Sequence, residues 1–278
     1  MKYADLQLHT RYSDGTETPA EILYRAKKNA IDCVSITDHD TTAGIPEALK
    51  ASVEFGMEVI PGIEISCDCS KGTLHILGYY MDILHPVFQA SLRYFREARN
   101  LRIYKIIDAL RDYGLDITVD DVFEEVKGDS PGRPHVAQVI INKGYAKNRQ
   151  DAFDRFLAHG KPGDIEKAKM RPHEAVNMIH SARGLAVLAH PHSLDDIDVI
   201  RRLVIYGLDG IEVFYPEHSH SFIQTLANYV KKYRLFATGG SDCHGAGKDE
   251  VRLGKIKLPY SYILNMKKCY ERKYGNMP

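Results

Sequence analysis

The chain has 278 residues, 44% apolar and 27% charged, an ordinary balance for a chain that buries a substantial core. Lys plus Arg equals Asp plus Glu at 37 each, so no global basic field draws it to long nucleic acid or anionic lipid. The opening Met1-Lys2-Tyr3-Ala4-Asp5 lacks the apolar core of a signal peptide. No apolar run is long enough to cross a membrane. The five cysteines form no C-x-x-C pair, and their odd number predicts a reducing cytoplasm over a disulfide scaffold. Thirteen histidines are many for this length, and their placement is the question.

Tyr3–Leu8 reads as a strand, and Pro19 opens a helix through Ala30. Cys33–Thr37 is a short apolar β-rich run, residues 42–55 a helix, and Met57–Ile65 and Thr73–Tyr79 further strands. This alternation predicts a parallel α/β architecture. It breaks after Pro86. Phe88–Tyr113 is a long charged amphipathic helix, followed by helical pieces at Val119–Val126, Pro134–Lys143 and Arg149–Leu157. Residues 98–165 are therefore predicted to form a helical insertion between barrel segments 1–97 and 166–278. Alternation resumes with helix 172–182, strand Leu185–Ala189, helix 195–206, strand Gly210–Val213, helix 219–233 and strand Leu235–Thr238. A closing helix is predicted after Leu258. A small distorted barrel fits this order best, with an open doubly wound sheet second. Both place function at the C-terminal ends of the strands.

The histidines obey that rule. His9 and Asp14 follow the first strand, Asp38-His39-Asp40 the second, Glu64 ends the third, and His75 lies on the fourth. His190-Pro191-His192 and Asp242-Cys243-His244 follow two later strands. Singly, each has a bland reading: a hydrogen-bonded histidine, a surface carboxylate, or, for Asp38 and Asp40, a helix cap. Together they point to a multinuclear metal site, because imidazole and carboxylate are the ligands that Zn, Mn and Fe accept. His190/His192 and Asp242/His244, two residues apart on extended segments, each face one side.

The segments D-L-Q-L-H-T-R-Y-S-D-G (5–15), I-T-D-H-D (36–40), P-G-I-E-I-S (61–66), L-A-H-P-H (188–192) and G-S-D-C-H-G (240–245) resemble the signature of the PHP (polymerase and histidinol phosphatase) superfamily. The resemblance covers nearly the whole chain. It implies a distorted (β/α)7 barrel carrying a centre of two or three Mn, Fe or Zn ions. By the same resemblance His9, Glu64 and Asp242 hold the first ion. Glu64 bridges to a second held by His75 and His190, and Asp14, His39 and His244 hold the third. The family usually opens with H-x-H, and here the first of that pair is Gln7. An amide oxygen is a weaker, uncharged ligand, so the first ion is expected to be held more loosely, to be absent or to rely on water.

Divalent cations lower the pKa of bound water to roughly 7, so the implied chemistry is attack of a metal-bridging hydroxide on phosphorus. His192 is a candidate general acid, or a phosphate-binding imidazole. Gly132-Arg133-Pro134-His135 opens a helix, and Arg presents a planar fork suited to phosphate. In the subfamily the chain most resembles, this segment contacts substrate phosphate. His218 is a further candidate substrate contact, and Lys161 a weaker one. That subfamily takes nucleoside 3′,5′-bisphosphates, 5′-nucleotides and short RNA. The expectation is thus a phosphatase acting on a small phosphorylated substrate, a nucleotide. The rivals are a histidinol-phosphate phosphatase and a degenerate PHP domain that binds metal without turnover, which only Gln7 supports.

Overall fold

The computed structural model describes residues 1–69, 72–126, 131–166, 170–245 and 252–277. In chain order the elements begin β1 (Tyr3–Leu8), α1 (Pro19–Lys28), β2 (Cys33–Ile36), α2 (Ile45–Phe55), β3 (Glu58–Cys67) and β4 (Leu74–Tyr79). Then come α3 (Pro86–Asp112), α4 (Val119–Glu125), α5 (Arg133–Asn142) and α6 (Arg149–Ala152), which runs on into one π turn, Phe153–Leu157. The last stretch is α7 (Pro172–Ser181), β5 (Leu185–Leu188), α8 (Val199–Ile205), β6 (Gly210–Phe214), α9 (His220–Tyr233), β7 (Phe236–Gly239), β8 (Leu258–Pro259) and α10 (Tyr260–Tyr274).

The strands form one sheet in the order β7-β6-β5-β4-β3-β2-β1-β8. It curls until Leu8 pairs in parallel with Cys243, just beyond β7, and the His9 N–H donates to the Cys243 carbonyl at 2.9 Å. The result is a nearly closed, distorted α/β barrel. Strands β2 and β5 are buried at every residue, as strands covered on both faces must be. Gly240 permits the closure. A Cβ there would stand 2.5 Å from the backbone nitrogen of Gln7.

Three local expectations are corrected. The sheet is not uniformly parallel: β4 runs antiparallel to both β3 and β5. The few residues between Cys67 and Leu74 cannot hold the crossover that a parallel partner needs. An eighth strand, β8, pairs antiparallel with β1. The helix expected at 195–206 starts only at Val199. Upstream, Asp196 Oδ1 accepts the Asp198 N–H at 2.8 Å, a local side-chain bond that competes with helix.

The chain divides into two compact units, residues 1–91 with 169–278, and residues 92–168. The first is the barrel. Its cores include Leu8, Ile22, Leu23, Val34, Ile36 and Ile45 under α1 and α2, and Leu77, Tyr79, Val187, Ile263 and Met266 under α10. The second is helical and has its own core of Ile103, Ile106, Ile107, Leu110, Ile117, Val136, Ile140 and Leu157.

Candidate metal centre

The centre is built around one carboxylate. Glu64 lies within β3 and has no solvent exposure. Its Oε1 lies 2.6 Å from His75 Nδ1 and 2.9 Å from His190 Nε2. Its Oε2 lies 3.0 Å from His9 Nε2, 3.1 Å from Gln7 Nε2 and 3.7 Å from His39 Nδ1. Antiparallel β4 explains how His75 arrives. The start of a reversed strand lies at the same end of the sheet as the ends of its neighbours, so Ser66 pairs with His75.

Three donor sets converge, each with ligand atoms within 4.8 Å of one another: His9, Glu64 and Asp242; His39, Glu64 and His75; and His9, Asp14, His39 and His244. His190 joins the second through Glu64 Oε1. All nine expected ligand residues therefore lie in one cluster, with Gln7 touching it through its amide nitrogen.

The atoms fit cations better than they fit one another. His9 Nε2 stands 3.0 Å from both Glu64 Oε2 and Asp242 Oδ1. Yet both ring nitrogens of this buried histidine lack a well-formed hydrogen bond. His75 Nδ1 and His190 Nε2 are 3.1 Å apart and aimed at the same oxygen. Two imidazole nitrogens and a carboxylate oxygen facing a common point are the ligand chemistry of Zn, Mn or Fe.

Outer contacts orient these ligands. His244 Nδ1 donates to the Asp242 carbonyl at 2.9 Å, which leaves Nε2 facing Asp14 Oδ1 at 3.2 Å. His190 Nδ1 is held by Ser193 Oγ at 3.1 Å, and its backbone N–H donates to Glu212 Oε2 at 2.8 Å. The Tyr215 hydroxyl donates to Asp242 Oδ2 at 2.8 Å. Asp38 does not cap α2, whose N-cap is Gly44. It accepts from Thr10 N at 2.7 Å and from the Thr10 and Ser13 hydroxyls at 2.6 Å each, which pins the loop between His9 and Asp14. Asp40 Oδ1 accepts the Ser66 N–H. His190 (φ 24°) and Asp242 (φ 51°) adopt left-handed backbone, a strain of order 1–3 kcal/mol each that clusters at functional sites.

The electrostatics follow. Burial opposes ionisation of Glu64, but the neighbouring His39 and His75 outweigh it and hold the carboxyl well below its ordinary range. Burial likewise works against Asp242, and the adjacent His9 imidazole, 3.0 Å from its Oδ1, brings it to about 2. Burial pulls His39 down to about 3. His190, despite burial, is raised to about 9 by Glu64. Burial pushes Glu212 well above its usual value.

The substrate candidates fall in both units. His192 is exposed, its ring 4.9 Å from Tyr215 and 5.1 Å from His218. His218 Nδ1 donates to the Val213 carbonyl at 2.9 Å, and its buried Nε2 makes no hydrogen bond. Arg133, His135 and Lys161 belong to the helical unit. Arg133 is the first residue of α5 and donates to the Leu157 carbonyl at 3.2 Å, and His135 Nδ1 accepts the Gly132 N–H at 3.1 Å.

Glu212, Tyr215 and Ser193 are not among the candidates read from the sequence, and for Asp38 the bland reading, a helix cap, is not what forms. Glu212 carries a signal: one carboxylate inside the apolar strand Gly210–Phe214. Tyr215 carries none, since its partner is 27 residues away.

The PHP domain family pattern matches residues 5–147. The chain is 33% identical over 256 residues to the 3′,5′-nucleoside bisphosphate phosphatase of Chromobacterium violaceum, covering 89% of each. It is 32% identical over 248 residues to a 5′-3′ exoribonuclease of Haemophilus influenzae, covering 87% of this chain and 90% of the relative. Its fold matches that of a Bifidobacterium adolescentis protein described as a metal-dependent phosphoesterase, with TM-score 0.84, 30% identity and 96% coverage of both chains. The chain belongs to the PHP domain family. Fold, donor sets and relatives together make it a metal-dependent phosphoesterase, a hydrolase.

Proposed function

We propose that this phosphoesterase removes phosphate from nucleotides, namely nucleoside 3′,5′-bisphosphates and 5′-mononucleotides, and also acts on short oligonucleotides. The observation that carries the reading is Glu64, a buried carboxylate placed between sets of metal-competent donors, which we take to hold two or three Mn, Fe or Zn ions. The relative named as a bisphosphate phosphatase supports the substrate class. The five free cysteines suit a cytoplasmic setting.

When bound, divalent ions make hydroxide available near neutral pH and offset the charge of the phosphate. The protein's own groups do the rest. Asp14, His39, His75, His190, Asp242 and His244 serve as ligands beside His9 and Glu64. His192, exposed beside Tyr215 and His218, has one of two roles: proton donor to the leaving oxygen or phosphate-binding imidazole. His218 offers a fixed acceptor at Nε2. Arg133 and His135, in the helical unit, bind phosphate.

The test is phosphate release from adenosine 3′,5′-bisphosphate, AMP and histidinol phosphate with Mn²⁺ present, beside release of nucleotides from a short 5′-phosphorylated RNA. Turnover of the two nucleotides is expected. Release from histidinol phosphate alone selects that substrate instead, and no turnover of any compound refutes the phosphatase reading. His192→Asn separates the two roles of His192. If His192 is the proton donor, the variant has a lower kcat, with the smallest drop for a p-nitrophenyl leaving group. If it binds phosphate, the variant has a higher KM for every substrate.

A further inference from the structure

Gln7 is the one member of the cluster with a neutral amide. It is fully buried on β1, two residues before His9, and both side chains reach Glu64 Oε2. Its Nε2 donates to Glu64 Oε2 at 3.1 Å, and its Oε1 is buried and meets no donor. The neighbour fixes the amide's orientation. Turned over, Oε1 would face a carboxylate oxygen, two acceptors in contact with no proton between them.

An N–H cannot coordinate a cation. Glu64 Oε2 is also an oxygen of the first donor set, where His9 Nε2 stands 3.0 Å from it and 3.0 Å from Asp242 Oδ1. Gln7 thus directs its polar contact to an oxygen of that set without adding a donor atom to it. The set built on the opposite oxygen differs, because His75 and His190 both approach Oε1 and no amide competes there.

We propose that Gln7 is an orienting donor for Glu64 and not a ligand, and that the His9–Glu64–Asp242 set is consequently a labile three-donor cation site with an open coordination position. Three protein ligands with one position open are the arrangement of catalytic rather than closed structural metal sites. The site exchanges its ion with the medium, whereas the sets sharing His75 and His190 and sharing Asp14 and His244 retain theirs. This deepens the function proposed above and rests on it only in taking the ions to be divalent.

The full chain and its Gln7→His variant are loaded with Mn²⁺, dialysed against metal-free buffer, and the retained ions counted by mass spectrometry. Mn²⁺ is then titrated back with electron paramagnetic resonance reporting free ion. The wild type is expected to retain one ion fewer than Gln7→His. The variant should bind that last ion about 10- to 100-fold more tightly, the usual range for changes around a metal site. Equal retained counts in the two proteins, at any number, overturn the inference. So do three ions retained by the wild type, a result that needs no variant to fold. The phosphate-release assay is scored separately, so either overturning result with nucleotide turnover intact removes this inference and leaves the proposed function standing.

Discussion

The two units of this chain put their buried atoms to opposite uses. Among the described residues, every polar or charged residue that is buried belongs to the barrel unit, from Asp5, Gln7 and His9 to Glu212, Thr238 and Ser241. The core of the helical unit is apolar throughout, with isoleucine prominent. A buried polar group that lacks its partner costs about 1–3 kcal/mol. Several barrel atoms are in that position, among them Gln7 Oε1, Glu212 Oε1 and His218 Nε2. The barrel therefore carries most of this local destabilisation along with its metal centre; in the helical unit Asn100 Oδ1 is buried without a partner, outside the apolar core.

The largest break in this comparison comes at Glu64. Glu64→Ala removes an oxygen from two donor sets at once. Metal retention should fall at every set that includes it, and kcat by at least about 100-fold. Chelation of the wild type gives the matching thermodynamic result. An ion present at 100 times its Kd stabilises by about 2.7 kcal/mol, so removing it should lower Tm. Hydrogen exchange should locate the loss in β1, β3 and β4. Exchange in α5 that quickens equally would show that the units do not divide the work as described.

Ile106→Ala is the reverse experiment. Ile106 is fully buried in the helical core, and truncation should cost about 3 kcal/mol. Retained metal should be unchanged. A variant that loses stability and ions together would mean that the helical core supports the ligands directly.

Asp209 tests a polar cluster of the barrel that lies outside the metal centre. Its Oδ2 accepts from Ala186 N at 2.9 Å and faces His180 Nε2 at 2.8 Å, and its Oδ1 accepts from Lys273 Nζ at 2.6 Å. This joins the end of α7, the start of β5 and α10. Burial raises its carboxyl, but His180 and Lys273 outweigh burial and hold it below the ordinary value. A depressed folded pKa contributes stability above the unfolded value, about 3.9, and loses it as pH falls through the folded value. Asp209→Asn should cost about 2 kcal/mol at pH 7. Urea melts at descending pH should show the gap to wild type closing only below about pH 4. A gap that stays constant down to about pH 2 would refute the ionic role.

The contrast between the units also explains what is legible in the chain itself. Strand ends and ligands are legible because each depends on a local signal. His9, His39, Glu64, His190, Asp242 and His244 stand at or just beyond short apolar runs. The direction of β4 is in principle legible too, from the short stretch between Cys67 and Leu74, but alternation elsewhere suggests parallel strands. Contacts between the loops that follow neighbouring strands are not legible. Tyr215 reaches Asp242, and Asp38 reaches back to Thr10 and Ser13, only once those strands pair. Gln7 shows the limit most clearly. Its position beside His9 is visible, but whether it offers oxygen or N–H depends on Glu64, 57 residues away.

The smallest predicted effects compare the units on equal terms. Each has a helix opened by a reciprocal threonine cap. In the barrel, Thr18 Oγ1 accepts the Glu21 N–H at 3.1 Å, and Glu21 Oε2 accepts the Thr18 N–H at 2.8 Å, at the start of α1. In the helical unit, Thr118 Oγ1 accepts the Asp121 N–H at 3.1 Å, and Asp121 Oδ2 accepts the Thr118 N–H at 2.7 Å, at the start of α4. The chemistry is alike, so Thr18→Ala and Thr118→Ala should each cost about 1 kcal/mol. Their consequences should differ in place. Thr18→Ala loosens the helix that packs Ile22 and Leu23 beside β1, and hydrogen exchange should quicken near the strand that carries Gln7. Thr118→Ala should quicken exchange only around Val122 and its neighbours in the helical core. If both variants quicken the same amides, the two units open together, and the separation of a barrel rich in buried polar groups from a helical unit with an apolar core fails.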